Sequence, residues 1–228
     1  MKRKGAVLFL GAWMIVGCGA RTPVAPVPTR TPMPTATETA LASPTTMLPT
    51  ALPTPTTLPL DQQQMTVDEA SHGGLGGNVS QRLAQSFTIS RNGFLADLGL
   101  PMSCRPSAQV TIRIEDAPGG RPNGVVLAME VISGRAFISP VPQGGASLHY
   151  NLVVFRPSAV VGEGISYAFT LETEQGDCDV WWGPPGDSYP GGVAYFRETG
   201  NAPGWLPMFA PERDLAFQIF VADQVMDE

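Results

Sequence analysis

Asp177, Asp179 and Asp187 crowd around the adjacent pair Trp181 and Trp182, and this is the stretch of the chain richest in groups that could do chemistry. Two carboxylates converging on one bond would suit glycoside hydrolysis. Three carboxylates in loops would suit calcium, the one cofactor this donor set favours, because a hard ion takes oxygen ligands. Loop acids are ordinarily solvated, so that use comes first and the other two stay open. The rings are a second resource. Trp181, Tyr189, Tyr195 and Trp205 offer flat apolar faces on which a sugar ring can stack, with acids and amides nearby for its hydroxyls. Neighbours in a strand point to opposite faces, and Cys178 and Val180 share the phase of Trp182. The expectation is therefore Trp182 in the core and Trp181 exposed. The competing use of the same rings is to pack the fold and cover its ends.

Other catalytic constellations lack parts. Nucleophilic catalysis wants a histidine beside a serine or cysteine, and the chain has only His72 and His149. His72 lies in a Gly-rich stretch, and His149 is opposite in phase to Leu148 and Tyr150; both read as solvent-facing. A zinc site fails for the same scarcity. The run Gly119-Gly120-Arg121-Pro122-Asn123-Gly124 is no phosphate loop, since it joins two strands and opens no helix whose N-terminus could receive the anion.

The N-terminus tells where the chain lives. Met1-Lys2-Arg3-Lys4 is a positive n-region, and residues 5–17 are an apolar run of 13, short of the roughly 20 needed to span a membrane. The run closes on Ile15-Val16-Gly17-Cys18, which resembles the lipobox of bacterial lipoproteins. That resemblance implies cleavage before Cys18, diacylation of its thiol, and a mature chain held by lipid at the bacterial cell envelope, facing outside the cytoplasm. Stable anchoring takes more than one acyl chain, at about 0.8 kcal/mol per buried CH2. Gly19 is not an inner-membrane retention signal of the aspartate type, which favours an outer location in a cell with two membranes. With Cys18 claimed by lipid, Cys104 and Cys178 are an even pair in an oxidising compartment and are expected to be bridged.

Residues 21–60 hold ten prolines and twelve threonines with one acid and two arginines. Such a stretch cannot build a core and reads as an extended, disordered spacer in residues 18–60. Losing Lys2, Arg3 and Lys4 leaves 11 of the 14 basic residues, all arginine, against 20 acids, a net charge of −9. So acidic a chain repels phosphate backbones and anionic lipid surfaces. Nucleic acid is excluded as a partner, and the membrane is reached through the lipid alone.

Residues 61–228 are enough for one core, and their period is two. Val110, Ile112 and Ile114 alternate with Thr111, Arg113 and Glu115; Ile165, Tyr167, Phe169 and Leu171 alternate with Ser166, Ala168, Thr170 and Glu172. These read as strands with one wet face. Similar runs cover 83–90, 94–100, 125–131, 148–155, 193–198 and 215–221, with a shorter one at 180–183, about nine strands in all. Gly/Pro clusters separate them, and 61–77 reads as an irregular lead-in. The expected fold is an all-β antiparallel sandwich.

Leu83-Ala84-Gln85-Ser86-Phe87, Val110-Thr111-Ile112-Arg113-Ile114 and the run from Gly120 to Ala128 resemble the opening of the non-catalytic jelly-roll modules of bacterial surface proteins, the choice-of-anchor domains. Phe155-Arg156-Pro157, then Gly164-Ile165-Ser166-Tyr167-Ala168, the run from Asp187 to Tyr195, and Asp214-Leu215-Ala216-Phe217 continue the likeness over residues 83–221. The resemblance implies a displayed module without chemistry of its own. The functional expectation is a surface lipoprotein that binds carbohydrate or glycoprotein through the four rings; protein–protein adhesion is second and a surface hydrolase third. Sugar binding predicts exposed rings in a shallow groove, whereas adhesion predicts an apolar patch or an open sheet edge.

Overall fold

A computed structural model of the chain describes residues 58–68, 72–76, 81–138, 149–198, 204–208 and 212–223. The signal segment, Cys18 and the spacer as far as residue 57 lie outside them. Thirteen strands occur among the described residues: β1 (Leu60–Gln64), β2 (His72–Gly76), β3 (Gln81–Thr88), β4 (Gly93–Leu100), β5 (Met102–Cys104), β6 (Gln109–Asp116), β7 (Val126–Ser133), β8 (Asn151–Val161), β9 (Ser166–Gln175), β10 (Asp177–Trp181), β11 (Ala194–Glu198), β12 (Leu206–Pro207) and β13 (Phe217–Ala222). All nine expected strands are present. Their pairings are antiparallel and give three sheets in a sandwich-like arrangement, with orders β1-β13-β4-β8, β2-β10-β5 and β12-β11-β3-β9-β6-β7. The described residues contain no helix long and apolar enough to cross a membrane.

One hydrophobic core joins the three sheets. It takes Phe87 from β3, Ile112 from β6, Phe169 from β9, Leu98 from β4, Phe217 from β13 and Val180 from β10, all buried. Phe217 is the hub: its ring lies 5.5 Å from that of Phe169, edge-on, 6.2 Å from Phe87 and 5.0 Å from Tyr189. Edge-on aromatic pairs add about 0.5–1.5 kcal/mol beyond the area they bury.

The described part of the lead-in holds two strands, contrary to the reading of 61–77 as irregular. β1 pairs with β13, and β2 pairs with β10 from Asp177↔Gly76 to Trp181↔His72. The wet face of the central strands is also covered. Ala168, Thr170, Glu172 and Glu115 are buried although they alternate with the core residues. The physical reason is a second layer on the outer face of the six-stranded sheet, made by the β6–β7 loop and by a small cluster of Ala84, Tyr195 and Trp205.

The bridge between Cys104 and Cys178 is formed, linking directly paired residues of β5 and β10 across a Cα separation of 4.0 Å. It closes a separation of 74 residues. The chain-entropy model puts the effect of such a link at about 4 kcal/mol.

Candidate functional site

The outer face of the six-stranded sheet carries a concavity of about 550 Å³, in the size range of ligand pockets. Arg82 of β3, Arg113 of β6, Arg197 of β11 and Arg121 of the β6–β7 loop line it, together with Glu115, Val126 and Trp205. The sheet register gathers the side chains. Thr111 and Glu172 are partners across β6 and β9, as are Arg197 and Arg82 across β11 and β3, and cross-strand partners share a face.

Glu172, 9% exposed, holds two of these cations: Arg113 Nη1 donates to its Oε2 at 2.8 Å, and Arg82 Nη2 pairs with its Oε1. One carboxylate thus fixes two guanidinium groups on a rigid strand. Glu115 accepts from Thr170 Oγ1 at 3.1 Å and from the Gly124 backbone N–H at 3.0 Å, which pins the β6–β7 loop to the sheet. The loop is braced further by Asn123, whose Oδ1 accepts from the Val125 N–H at 2.9 Å. Gly124 stands at φ 85°, a backbone conformation suited to glycine. The loop so fixed carries Arg121 over the Tyr195 ring, 5.8 Å from its centroid. It joins two strands, as its sequence indicates. Arg121 and Arg197 are exposed, and no carboxylate among the described residues pairs with either.

The four rings do not form an exposed groove. Trp181, expected at the surface, is buried; its phase opposite Trp182 is right, but the His72 ring of β2 lies 5.4 Å from its own on that side. Trp182 is partly buried and packs against the core. Tyr189 is buried, its hydroxyl donates to Gln62 Oε1 at 2.8 Å, and burial pushes its pKa up to about 12. Tyr195 and Trp205 are buried in the outer cluster. Trp205 is the one of the four that borders the concavity.

The acids are separately engaged. Asp177 pairs with Arg105 at 2.7 Å and Asp179 with His72 at 3.5 Å, beside a hollow of about 350 Å³ around the disulfide. Asp187 is exposed in the loop leading to Tyr189, where its charge acts on Asp214. Among the described residues no group of three or more His, Cys, Asp or Glu side chains could hold a metal ion. His149 is exposed, just before β8.

Sequence reading missed the arginine concavity because its members are spread over 115 residues, from Arg82 to Arg197. The available signal was the position of Arg113 and Arg82 on the polar phase of strands and of Arg121 in a Gly-rich hairpin loop. Comparison with protein-family models and with curated proteins gives no match for this chain.

Proposed function

We propose that this is a lipid-anchored envelope protein displaying a non-catalytic β-sandwich, which binds carbohydrate or glycoprotein through the arginine-lined concavity. One observation carries the reading: a 550 Å³ concavity in which hydrogen-bonding cations and the border of Trp205 are held on sheet strands and a braced loop. What this lining offers is recognition, since guanidinium groups donate in a fixed fork. The site differs from the exposed rings expected, and the ligand class is the same.

A glycan-array screen of the full chain in detergent tests it, with Val126→Trp alongside. Val126 is 45% exposed and borders the concavity, so the larger ring takes up space there while every charged side chain of the lining is kept. Binding by the parent chain that disappears in Val126→Trp at unchanged melting temperature is the expected result. A blank array on folded protein, or equal binding by both forms, removes the reading.

Protein–protein adhesion is supported by a different observation. Among the described residues, eight of the 13 exposed large hydrophobic residues lie in 125–131 or on β8: Val125, Val126, Leu127, Met129 and Val131, then Leu152, Val154 and Val160. β7 and β8 are edge strands of different sheets and run beside each other, with the Arg156 N–H donating to Glu130 Oε1 at 2.9 Å. Apolar edges of this kind template further pairing. A blank array combined with self-association that Val131→Lys abolishes would favour adhesion over sugar binding.

A further inference from the structure

Charge is distributed over this domain in a way that its overall acidity conceals. Beyond residue 57 the chain has nine arginines and 19 acids, and four of those nine line the one concavity. Among the described residues of the lining Glu115 is the only carboxylate, and Glu172 behind it is shared by Arg82 and Arg113. Outside this group five arginines are left with 17 acids. A positive hollow has therefore been kept on a negative body, and two of its cations, Arg121 and Arg197, are exposed without a carboxylate partner among the described residues.

Guanidinium groups bind carboxylate and sulfate through paired N–H donors. The apolar part of the lining, Pro122, Val126 and Trp205, calls for a ligand with carbon surface as well as charge. The acidic remainder of the domain repels a long polyanion, because unpaired like charges within about 8 Å are felt at physiological salt. What fits is one oxyanion at the end of an otherwise neutral chain.

We propose that the concavity binds a single carboxylate or sulfate carried on a terminal sugar. Arg121 and Arg197 are the recognising cations, and the Arg82–Glu172–Arg113 group is their fixed backing. This rests on the carbohydrate reading above and narrows it to acidic sugars.

The test is calorimetric titration of the full chain in detergent with an aldobiouronic acid, glucuronate joined to glucose, and with cellobiose as its neutral twin. The acidic disaccharide should bind about tenfold or more tightly than cellobiose, a gap of the size expected for a charge-assisted pair, and the gap should shrink in high salt. Arg121→Gln and Arg197→Gln should each weaken acidic binding by about tenfold, while Arg135→Gln, outside the concavity, should leave it unchanged. Both targets are exposed, so folding is not at stake. Equal binding of the two disaccharides, or preference for cellobiose, overturns the acidic specificity and leaves the carbohydrate reading standing. No binding of either, with the array blank, overturns both. Retention of inorganic sulfate alone, with neither disaccharide held, also overturns the proposal and makes the concavity a plain ion site.

Discussion

Asp214 shows how a residue that looks like a loop acid can be structural. It is 3% exposed and accepts from Gln85 Nε2, the Ser188 N–H and the Tyr189 N–H, each at 3.0 Å. Gln85 in turn accepts the Leu215 N–H at 2.8 Å, so the network ties β3 to the segment entering β13. Asp214→Ala leaves the buried Tyr189 N–H without its acceptor, at about 1–3 kcal/mol, and takes the acceptor from the part-buried Ser188 N–H as well. The urea midpoint should fall accordingly with unchanged slope. Asp97 is buried without such a set of donors, and desolvation raises its pKa from 3.8, opposed by the charge of Arg156. Burial raises Asp214 likewise, against its hydrogen bonds. For a carboxyl raised on folding, the folded state holds the proton at pH values where the unfolded state has lost it. Stability then falls as pH rises from the unfolded value through the folded one, and the full cost is present above it. Asp97→Asn should therefore melt higher than the parent chain at pH 7, and the difference should close as pH falls toward 4. A difference independent of pH would contradict this. The site itself was legible only in part. Residue type marked Trp205, but exposure depends on what covers a face, and the covering layer comes from residues 117–125 and 204–208, remote in sequence from the strands they shield.

At the scale of elements, strands with alternating apolar residues were legible because burial on one face writes a period of two into the chain. β1, β2, β5 and β12 carry no such period. β1 reads Leu-Asp-Gln-Gln-Gln and β2 reads His-Gly-Gly-Leu-Gly. Such composition has little strand preference, and the partner strand supplies the register. Glycine in β2 has a positional meaning: a Cβ on Gly73 would come 2.7 Å from the Trp182 ring, whereas one on Gly74 would meet open space. Gly73→Ala should cost about 1–3 kcal/mol through overpacking and change Trp fluorescence. Gly74→Ala should be neutral, or more stable by up to about 1 kcal/mol through the unfolded chain. Equal effects at the two sites would mean that Trp182 does not rest on β2. β5 is three residues long and is fixed to β10 at Cys104. Cys104→Ser with Cys178→Ser should destabilise by about 4 kcal/mol, and the unreduced, unfolded parent chain should show neither cysteine open to alkylation.

For the whole molecule, the question is whether three sheets behave as one body. The core forms a single cluster drawing on all three, and Phe217 of β13 touches Phe87 and Phe169 of the six-stranded sheet and Tyr189 of the connecting loop. No sheet can lose its partner and keep its own apolar face dry. Cooperative unfolding follows, because exposing that face costs about 25 cal/mol for each Å² given back to water. Phe217→Ala should cost about 3–5 kcal/mol. The loss should appear as one transition, with far-UV circular dichroism, near-UV circular dichroism and Trp fluorescence falling together in parent and variant. Separate midpoints would mean that the four-stranded sheet melts alone, leaving the concavity on a body that survives it. Coincident midpoints tie the concavity to the core: Arg82, Arg113 and Arg197 stand on strands of the sheet whose inner face packs against Phe217, so a core defect weakens binding through the folded fraction alone. Measured per folded molecule, the affinity of Phe217→Ala for an acidic sugar should equal that of the parent chain.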